Sequence, residues 1–486
     1  MKQLTTFLCN YSINWAIYAL LSIMLLQSGC LGSSTPKTQK TPIILKPDIA
    51  DKQAQSQPPT PPQPPANTTI PTTNIPDSPP KEEYNPTTQQ QETPHETNKI
   101  KTEPAIYQIA LMLPLGLQNF VPNAANDSVP ENALLALEFY EGALLALDKL
   151  QQEGVPIQAT LYDTDNNTTT AQQILNQPQL QNVHLIIGPV YSKELKPVAA
   201  FSQQHKIPHI SPLSPSGAVT SDNPHYLIAN PSIEAQCAAI YRYIAQNYPV
   251  NKRIITVCAN KPNEISMANL FYRFGQFFGN ATAEFAAPIP VNQFVYNRAG
   301  IADIESYLSA NEENMVVVTS FDNLLVYDLS TKLNLLRSKY KITLFGMPNW
   351  LSFETIELEY LANLNLHLPL PFWQDKTNPD VAAFKRLYFQ NYKTTPSEYA
   401  CRGYDLIMWA GRALKNNGKD FYRRPHEVNS KGLFTNYIFE PSWANQYTQP
   451  TALPNTDFLE NKFTNIVRFK PDTGFERVNR WKCSNE

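Results

Sequence analysis

The sequence predicts a two-lobed α/β fold over residues 105–486, each lobe a parallel sheet covered by helices, set behind 104 residues that build no core. Three observations lead to it. Short apolar runs alternate with helical periods from Ile106 onward; the alternation comes in two sets that part near Asn230; and residues 33–104 hold almost nothing a core could bury. Buried strands alternating with helices imply parallel strands whose crossover helices cover both faces of a sheet.

The first 30 residues carry Lys2, an apolar run from Trp15 to Leu26, and then Gln27-Ser28-Gly29-Cys30. So short a run falls below the ~20 residues that cross a bilayer and reads as a secretion signal. Ser28-Gly29-Cys30 resembles the lipobox of bacterial lipoproteins, with Gln27 where leucine is usual. The resemblance implies that Cys30 becomes the acylated N-terminus and anchors the protein to a membrane. Leu31-Gly32-Ser33-Ser34 brings no acidic residue behind the cysteine, which by the same resemblance implies the periplasmic face of an outer membrane.

Residues 31–104 read as a disordered tether. Of the chain's 42 prolines, 16 lie between Ser33 and Pro104 among Thr, Gln and Asn, and Tyr84 is the one aromatic there. Such a composition buries too little to offset the entropy of ordering, so the segment spans roughly 50 Å as a coil and up to about 220 Å as continuous polyproline II. The folded part can then stand well away from the membrane.

In the first set, Ile106 to Met112 reads as a strand and Pro130 to Gln152, behind Ser128 as N-cap, as an amphipathic helix. Strands follow at Gln158 to Tyr162, Val183 to Ile187 and Pro208 to Ser211, with helices at Thr168 to Leu175 and Ser192 to His205 between them. The second set opens on a helix from Ile233. It continues with strands Arg253 to Cys258, Met315 to Thr319 and Ile342 to Phe345, and helices Ile265 to Phe278 and Asp322 to Leu336. Helices Val381 to Tyr392 and Glu398 to Lys415 precede a C-terminal region of mixed, strand-like character.

Composition narrows the function. At 42% hydrophobic residues, with 23 Phe and 24 Tyr, the chain can fill a sizeable core. A net charge of −3, with Lys and Arg scattered among similar numbers of Asp and Glu, speaks against a nucleic-acid partner. Six cysteines are too few for a disulfide scaffold. Cys237 and Cys258 read as buried apolar residues, Cys401 with Cys483 is a candidate disulfide, and neither pair has metal-ligand spacing.

Four segments in register carry a family resemblance: Ile109-Ala110-Leu111-Met112-Leu113-Pro114-Leu115, Tyr140-Glu141-Gly142-Ala143-Leu144-Leu145-Ala146-Leu147, Leu185-Ile186-Ile187-Gly188-Pro189 and Ile207-Pro208-His209-Ile210-Ser211-Pro212. With Pro396 and Gly403-Tyr404-Asp405 they resemble the type I periplasmic binding proteins. That superfamily includes the branched-chain amino-acid-binding and receptor ligand-binding proteins and the penicillin-binding-protein activator lipoproteins. The resemblance implies that the chain crosses between lobes near Asn230 to Ser232, returns near Trp350 to Leu370 and crosses again toward the C-terminus. Lobe one then holds about 105–230 and 350–415, and lobe two about 231–349 plus part of the C-terminal region. Ligands of open α/β sheets lie beyond the carboxyl ends of the strands. In the inter-lobe cleft that position gathers Leu115, Tyr191, Ser192, Ser211, Ser214, Phe321 and Asn349 as ligand-binding residues.

Ser192 sits where amino-acid binders of the family hold a ligand carboxylate, at a helix N-terminus suited to an anion. Its hydroxyl could equally serve as a plain N-cap. Pro215, in the segment Ser211-Pro212-Leu213-Ser214-Pro215-Ser216, removes one backbone donor. Asn349 stands where the family tends to place a carboxylate for a ligand ammonium, with Glu354 or Glu357 as alternatives. The two departures lead to the expectation that free α-amino acids are not bound in the family's usual way. Asp163 and Asp165 read as a solvated strand end, and His205 and His209 as exposed flanks of a turn. HExxH, GxSxG, CxxC and P-loop patterns are absent, so neither a catalytic centre nor a cofactor is expected. The reading is a non-catalytic envelope lipoprotein that binds a small polar ligand, with a transporter as one potential partner. The alternative is a scaffold or activator of cell-wall synthesis that uses the same fold to take a protein partner or peptidoglycan.

Overall fold

The computed structural model describes residues 106–119, 129, 131–248, 252–281, 289–297, 300–353, 355–443 and 456–479. The signal, Cys30, the tether, the N-cap reading of Ser128, Glu354 and Cys483 lie outside the described residues.

Two seven-stranded sheets organise the chain. The first contains β1 (Tyr107–Leu113), β2 (Ile157–Asp163), β3 (Leu185–Ile187), β4 (His209–Ser211), β5 (Tyr226–Ile228), β13 (Phe439–Ser442) and β14 (Phe458–Asn461), in the order β13-β14-β5-β4-β3-β1-β2. The second contains β6 (Lys252–Ala259), β7 (Val291–Tyr296), β8 (Glu313–Val318), β9 (Ile342–Phe345), β10 (His367–Leu370), β15 (Asn465–Lys470) and β16 (Gly474–Arg477), in the order β16-β15-β10-β9-β8-β6-β7. A short ribbon pairs β11 (Ser430–Lys431) with β12 (Asn436–Tyr437). Both sheets are mainly parallel, as expected. The departures lie at one edge of each, where β13 runs antiparallel to β14, and β15 to both β10 and β16.

The helices are α1 (Glu131–Gln152), α2 (Thr168–Leu175), α3 (Ser192–His205), α4 (Ile233–Asn247), α5 (Pro262–Ala281), α6 (Ile301–Glu305), α7 (Asn323–Leu336), α8 (Leu358–Asn363), α9 (Pro379–Tyr392) and α10 (Glu398–Asn417). Side-chain caps start several of them: Asn167 accepts from Thr169 N (2.8 Å), Ser232 from Ala235 N (3.2 Å), Asp322 from Leu324 N (3.0 Å) and Ser397 from Tyr399 N (3.1 Å). β1 shows why its sequence is continuously apolar. Ile109 and Leu111 pack into the core under α1 and α10, whereas Ala110 and Met112 pack into the opposite core with α2 and α3. Helices α1 and α10 cross in close contact at glycines. A Cβ on Gly142 would stand 1.8 Å from Ala400 O, and one on Gly403 2.1 Å from Phe139 O.

Three strands escaped the sequence reading. β5 is three residues long, β7 alternates with little apolar content, and β10 contains Pro369. A proline inside a strand withholds a ladder donor and argues against the assignment. β10 also corrects a boundary. It pairs with β9 and β15, so the chain stays in lobe two through Leu370 and returns to lobe one at 371–378, at the far end of the return expected near Trp350 to Leu370, which places 350–370 in lobe two. The other crossovers lie at 229–232 and 462–464.

The crossovers are tied together by polar contacts. Buried Glu460 accepts from Ser232 N (2.8 Å) and pairs with buried Lys462. Burial pushes the Glu460 carboxyl up, but the Lys462 ammonium and Ser232 outweigh it and leave it below the usual carboxylate range. Asn461 Nδ2 donates to Ala229 O (3.2 Å) and Asn436 O (3.1 Å).

Two readings of individual residues are corrected. His209 is fully buried, not exposed; its Nε2 lies 2.7 Å from Gly188 O, because β4 is an interior strand. Cys401 is a buried free thiol whose pKa burial raises, and so are Cys237 and Cys258. No described helix is long and apolar enough to cross a membrane.

Candidate functional site

The carboxyl ends of β1 to β5 line one side of the site. Beyond β2, Asp163 Oδ1 accepts from Leu115 N (2.9 Å), Gly116 N (3.0 Å) and Asp165 N (2.9 Å), and Oδ2 from Leu117 N (2.7 Å). Asp163 therefore braces the loop that presents half-buried Leu115 and is not a solvated acid. No group of three or more His, Cys, Asp or Glu among the described residues could hold a metal ion. Beyond β3 the chain turns at Gly188, whose φ of 98° and close approach to Met112 O exclude a side chain.

At the start of α3 the N-cap is Tyr191, which makes no side-chain cap bond; Ser192 is the first helical residue. The Ser192 hydroxyl is exposed and shares a 2.8 Å hydrogen bond with the Ser214 hydroxyl, so it does not cap its own helix. Ser211 departs from its expected role. It is fully buried and donates to Ser214 O (2.8 Å), shaping the 211–216 loop from within. Burial raises the Tyr191 phenol, with Tyr399 and Glu194 adding to the shift. Glu194, one turn into α3, is itself fully buried with neither carboxylate oxygen hydrogen-bonded. Burial raises its pKa; Thr164 and Asn167 lie close enough to oppose the shift, yet neither reaches hydrogen-bonding geometry.

Lobe two brings Phe321 and Asn349 together. Phe321 follows β8 and is 42% exposed, and its carbonyl accepts from Asn349 Nδ2 at 3.5 Å. Asn349 Oδ1 is a buried acceptor without a partner. Glu357 is exposed and heads α8 without a side-chain cap bond.

The sequence reading missed the part of lobe one that comes from α10. Arg402 Nη1 donates to Asn230 Oδ1 (3.1 Å), and Asn230 Nδ2 to Leu213 O (2.8 Å). The guanidinium lies 5.5 Å from the ring centre of Phe372, on the second crossover. A cavity of about 10 Å³, room for one water, is lined by Pro212, Phe372, Arg402, Asp405, Thr435 and Tyr437 among others. Asp405 accepts from Leu433 N (2.8 Å), Phe434 N (2.7 Å) and Thr435 N (3.0 Å). Burial pushes its pKa up to about 6 against the pull of those donors. In sequence, Glu398 and Arg402 look like an ordinary i,i+4 surface pair, which hid the arginine.

Two lobes joined by three crossovers, with polar and aromatic groups at the strand ends, form an arrangement suited to binding. Residues 132–426 match the family model described as periplasmic binding protein, and the chain belongs to that family, whose members are binding proteins. Among solved structures it resembles a putative branched-chain amino acid ABC transporter protein from Rhodospirillum rubrum (15% identity, 77% of this chain and 100% of that one, TM-score 0.51). It also resembles an ABC transporter substrate-binding protein from Desulfitobacterium hafniense in complex with Leu (15%, 76% and 99%, 0.46). LpoA from Haemophilus influenzae is matched over 77% of this chain and 59% of LpoA (13%, 0.48). At these identities the likeness is one of fold. No curated protein matches the chain.

Proposed function

We propose that the chain is a non-catalytic, lipid-anchored envelope protein that binds a small polar ligand in the cleft between its lobes. The Ser192–Ser214 hydroxyl pair at the N-terminus of α3 carries the reading, supported by Asn349 Oδ1, an unfilled acceptor, at the strand ends of lobe two. Thermal-shift screening tests it. A ligand at a hundred times its Kd stabilises the folded state by about 2.7 kcal/mol. Such a shift, lost in Ser192→Ala, is the expected result; a ligand that stabilises both proteins equally would move the site elsewhere. Millimolar leucine is expected to give none, because Pro215 and Asn349 each remove part of zwitterion recognition.

Cys30 is proposed as the anchor at the periplasmic face of the outer membrane. Cys30→Ser should abolish labelling by a radioactive fatty acid and release the protein from membranes, and retained label would refute the lipoprotein reading. The length of the tether favours a second reading, a scaffold or activator of cell-wall synthesis reaching a protein partner or peptidoglycan. Exposed Phe321, Leu324, Leu351 and Leu358 offer apolar surface for it.

A further inference from the structure

We infer that Arg402 recognises the cleft's ligand and that this ligand is a small organic anion without an ammonium group. The inference rests on the binding role proposed above and deepens it. None of the seven strand-end residues named as ligand-binding is charged. Arg402 adds a cation beside the Ser211–Ser216 loop: it lines the cavity with Pro212 of that loop and bonds Asn230, which in turn holds Leu213. Its side chain is only 14% exposed, so an anion reaching it meets a partly desolvated charge.

A guanidinium has five N–H donors. Glu398 takes Nε and Nη2, and Asn230 takes one N–H of Nη1, so two N–H groups remain without a protein acceptor. Glu398 is itself half exposed and returns to solvent when displaced, so a ligand carboxylate can take its place at Arg402. Glu398 then acts as a resident stand-in for the anion.

The described carboxylates that follow β6 and β8 in lobe two are engaged and leave none there for an ammonium. Asp322, after β8, caps α7 through Leu324 N (3.0 Å) and Leu325 N (3.2 Å). Glu264, after β6, accepts from Ala259 N (2.9 Å). Lys261 lies 3.8 Å from the one and 3.3 Å from the other. An unpaired ammonium in a closing cleft would be desolvated without compensation. With Asp405, on the same cavity wall, taken up by its three backbone donors, the two unused N–H groups of Arg402 favour an anion.

Isothermal titration of the purified protein with 2-oxo-4-methylpentanoate, succinate and inorganic phosphate, against leucine and glucose, tests the inference. At least one of the two organic anions should bind, and binding of phosphate alone overturns the inference. The organic anion's affinity should fall about 100-fold in Arg402→Met, recover in part in Arg402→Lys, and rise about three-fold in Glu398→Gln. Leucine binding more tightly than its oxo-acid analogue, or anion binding unchanged in folded Arg402→Met, overturns the inference while leaving the binding role intact. If Arg402→Met does not fold, Glu398→Gln decides, and unchanged anion affinity there overturns it. Binding by none of the five removes the small-ligand reading and this inference together.

Discussion

Asp405→Ala is expected to destabilise the folded unit by about 3 kcal/mol, the largest single-residue effect anticipated outside the sheets. The substitution strips the acceptor from three backbone donors in the 433–435 turn, two of them buried. Each buried donor left unsatisfied costs about 1–3 kcal/mol. Part of that is offset, because a carboxyl pushed up to about 6 is itself held ionised at neutral pH at a cost of about 3 kcal/mol. The turn also clamps the second crossover: Trp373 N donates to Phe434 O (3.0 Å) and Thr435 Oγ1 to Pro371 O (2.9 Å). Asp405→Asn retains one oxygen acceptor and should lose less than half as much. Urea denaturation at pH 7 checks both. An alanine variant within about 1 kcal/mol of the parent would mean that water replaces the carboxylate in the adjoining cavity.

Acid should weaken the fold well above the pH at which ordinary carboxylates titrate. His209 and His367 are buried, and burial lowers both to about 4 from an ordinary 6.5. His209 Nε2 faces Gly188 O; His367 stacks on Phe345 and holds Asn365 O through Nδ1 at 2.7 Å. Both are neutral when folded and take up protons when unfolded, so stability is fully present above pH 6.5 and is lost as pH falls from there toward 4. Each contributes about 3 kcal/mol over that range. Asp405 works the other way: its folded pKa is raised, so its contribution is full below about 3.8 and lost as pH rises through 6. It cancels roughly one histidine. The histidines outweigh Asp405, so stability falls between pH 7 and 4; Glu141 and Glu194, whose carboxyls burial also raises, temper the loss, and Glu460, depressed by Lys462, adds further loss below its ordinary range. Urea midpoints at pH 7, 5.5 and 4 should fall steadily. They should fall more steeply in Asp405→Asn, where the opposing group is gone. A flat profile would mean that both imidazoles charge in place.

The family resemblance points to Ser192 and Ser214 separately; their 2.8 Å contact belongs to the folded loop. Ser211 carries the same hydroxyl two residues from Leu213, yet it turns inward, and nothing in its neighbours signals which serine faces the cleft.

What the sequence determined by itself is the local pattern. The ends of α2 and α3 follow from Asn167 as a cap, from apolar spacing and from the turn before His209, all within a few residues. The two α/β sets follow from the same short-range alternation. Tertiary structure alone decided what depends on distant partners. Pro369 lies in an interior strand because β9 and β15 flank it; His209 is buried because β3 and β5 do. Glu460 meets Ser232 across 228 residues, and Arg402 meets Asn230 across 172. Periodicity is written in neighbours a turn or a pleat apart, whereas burial, charge pairing and sheet edges are properties of surfaces that exist only once distant segments have met.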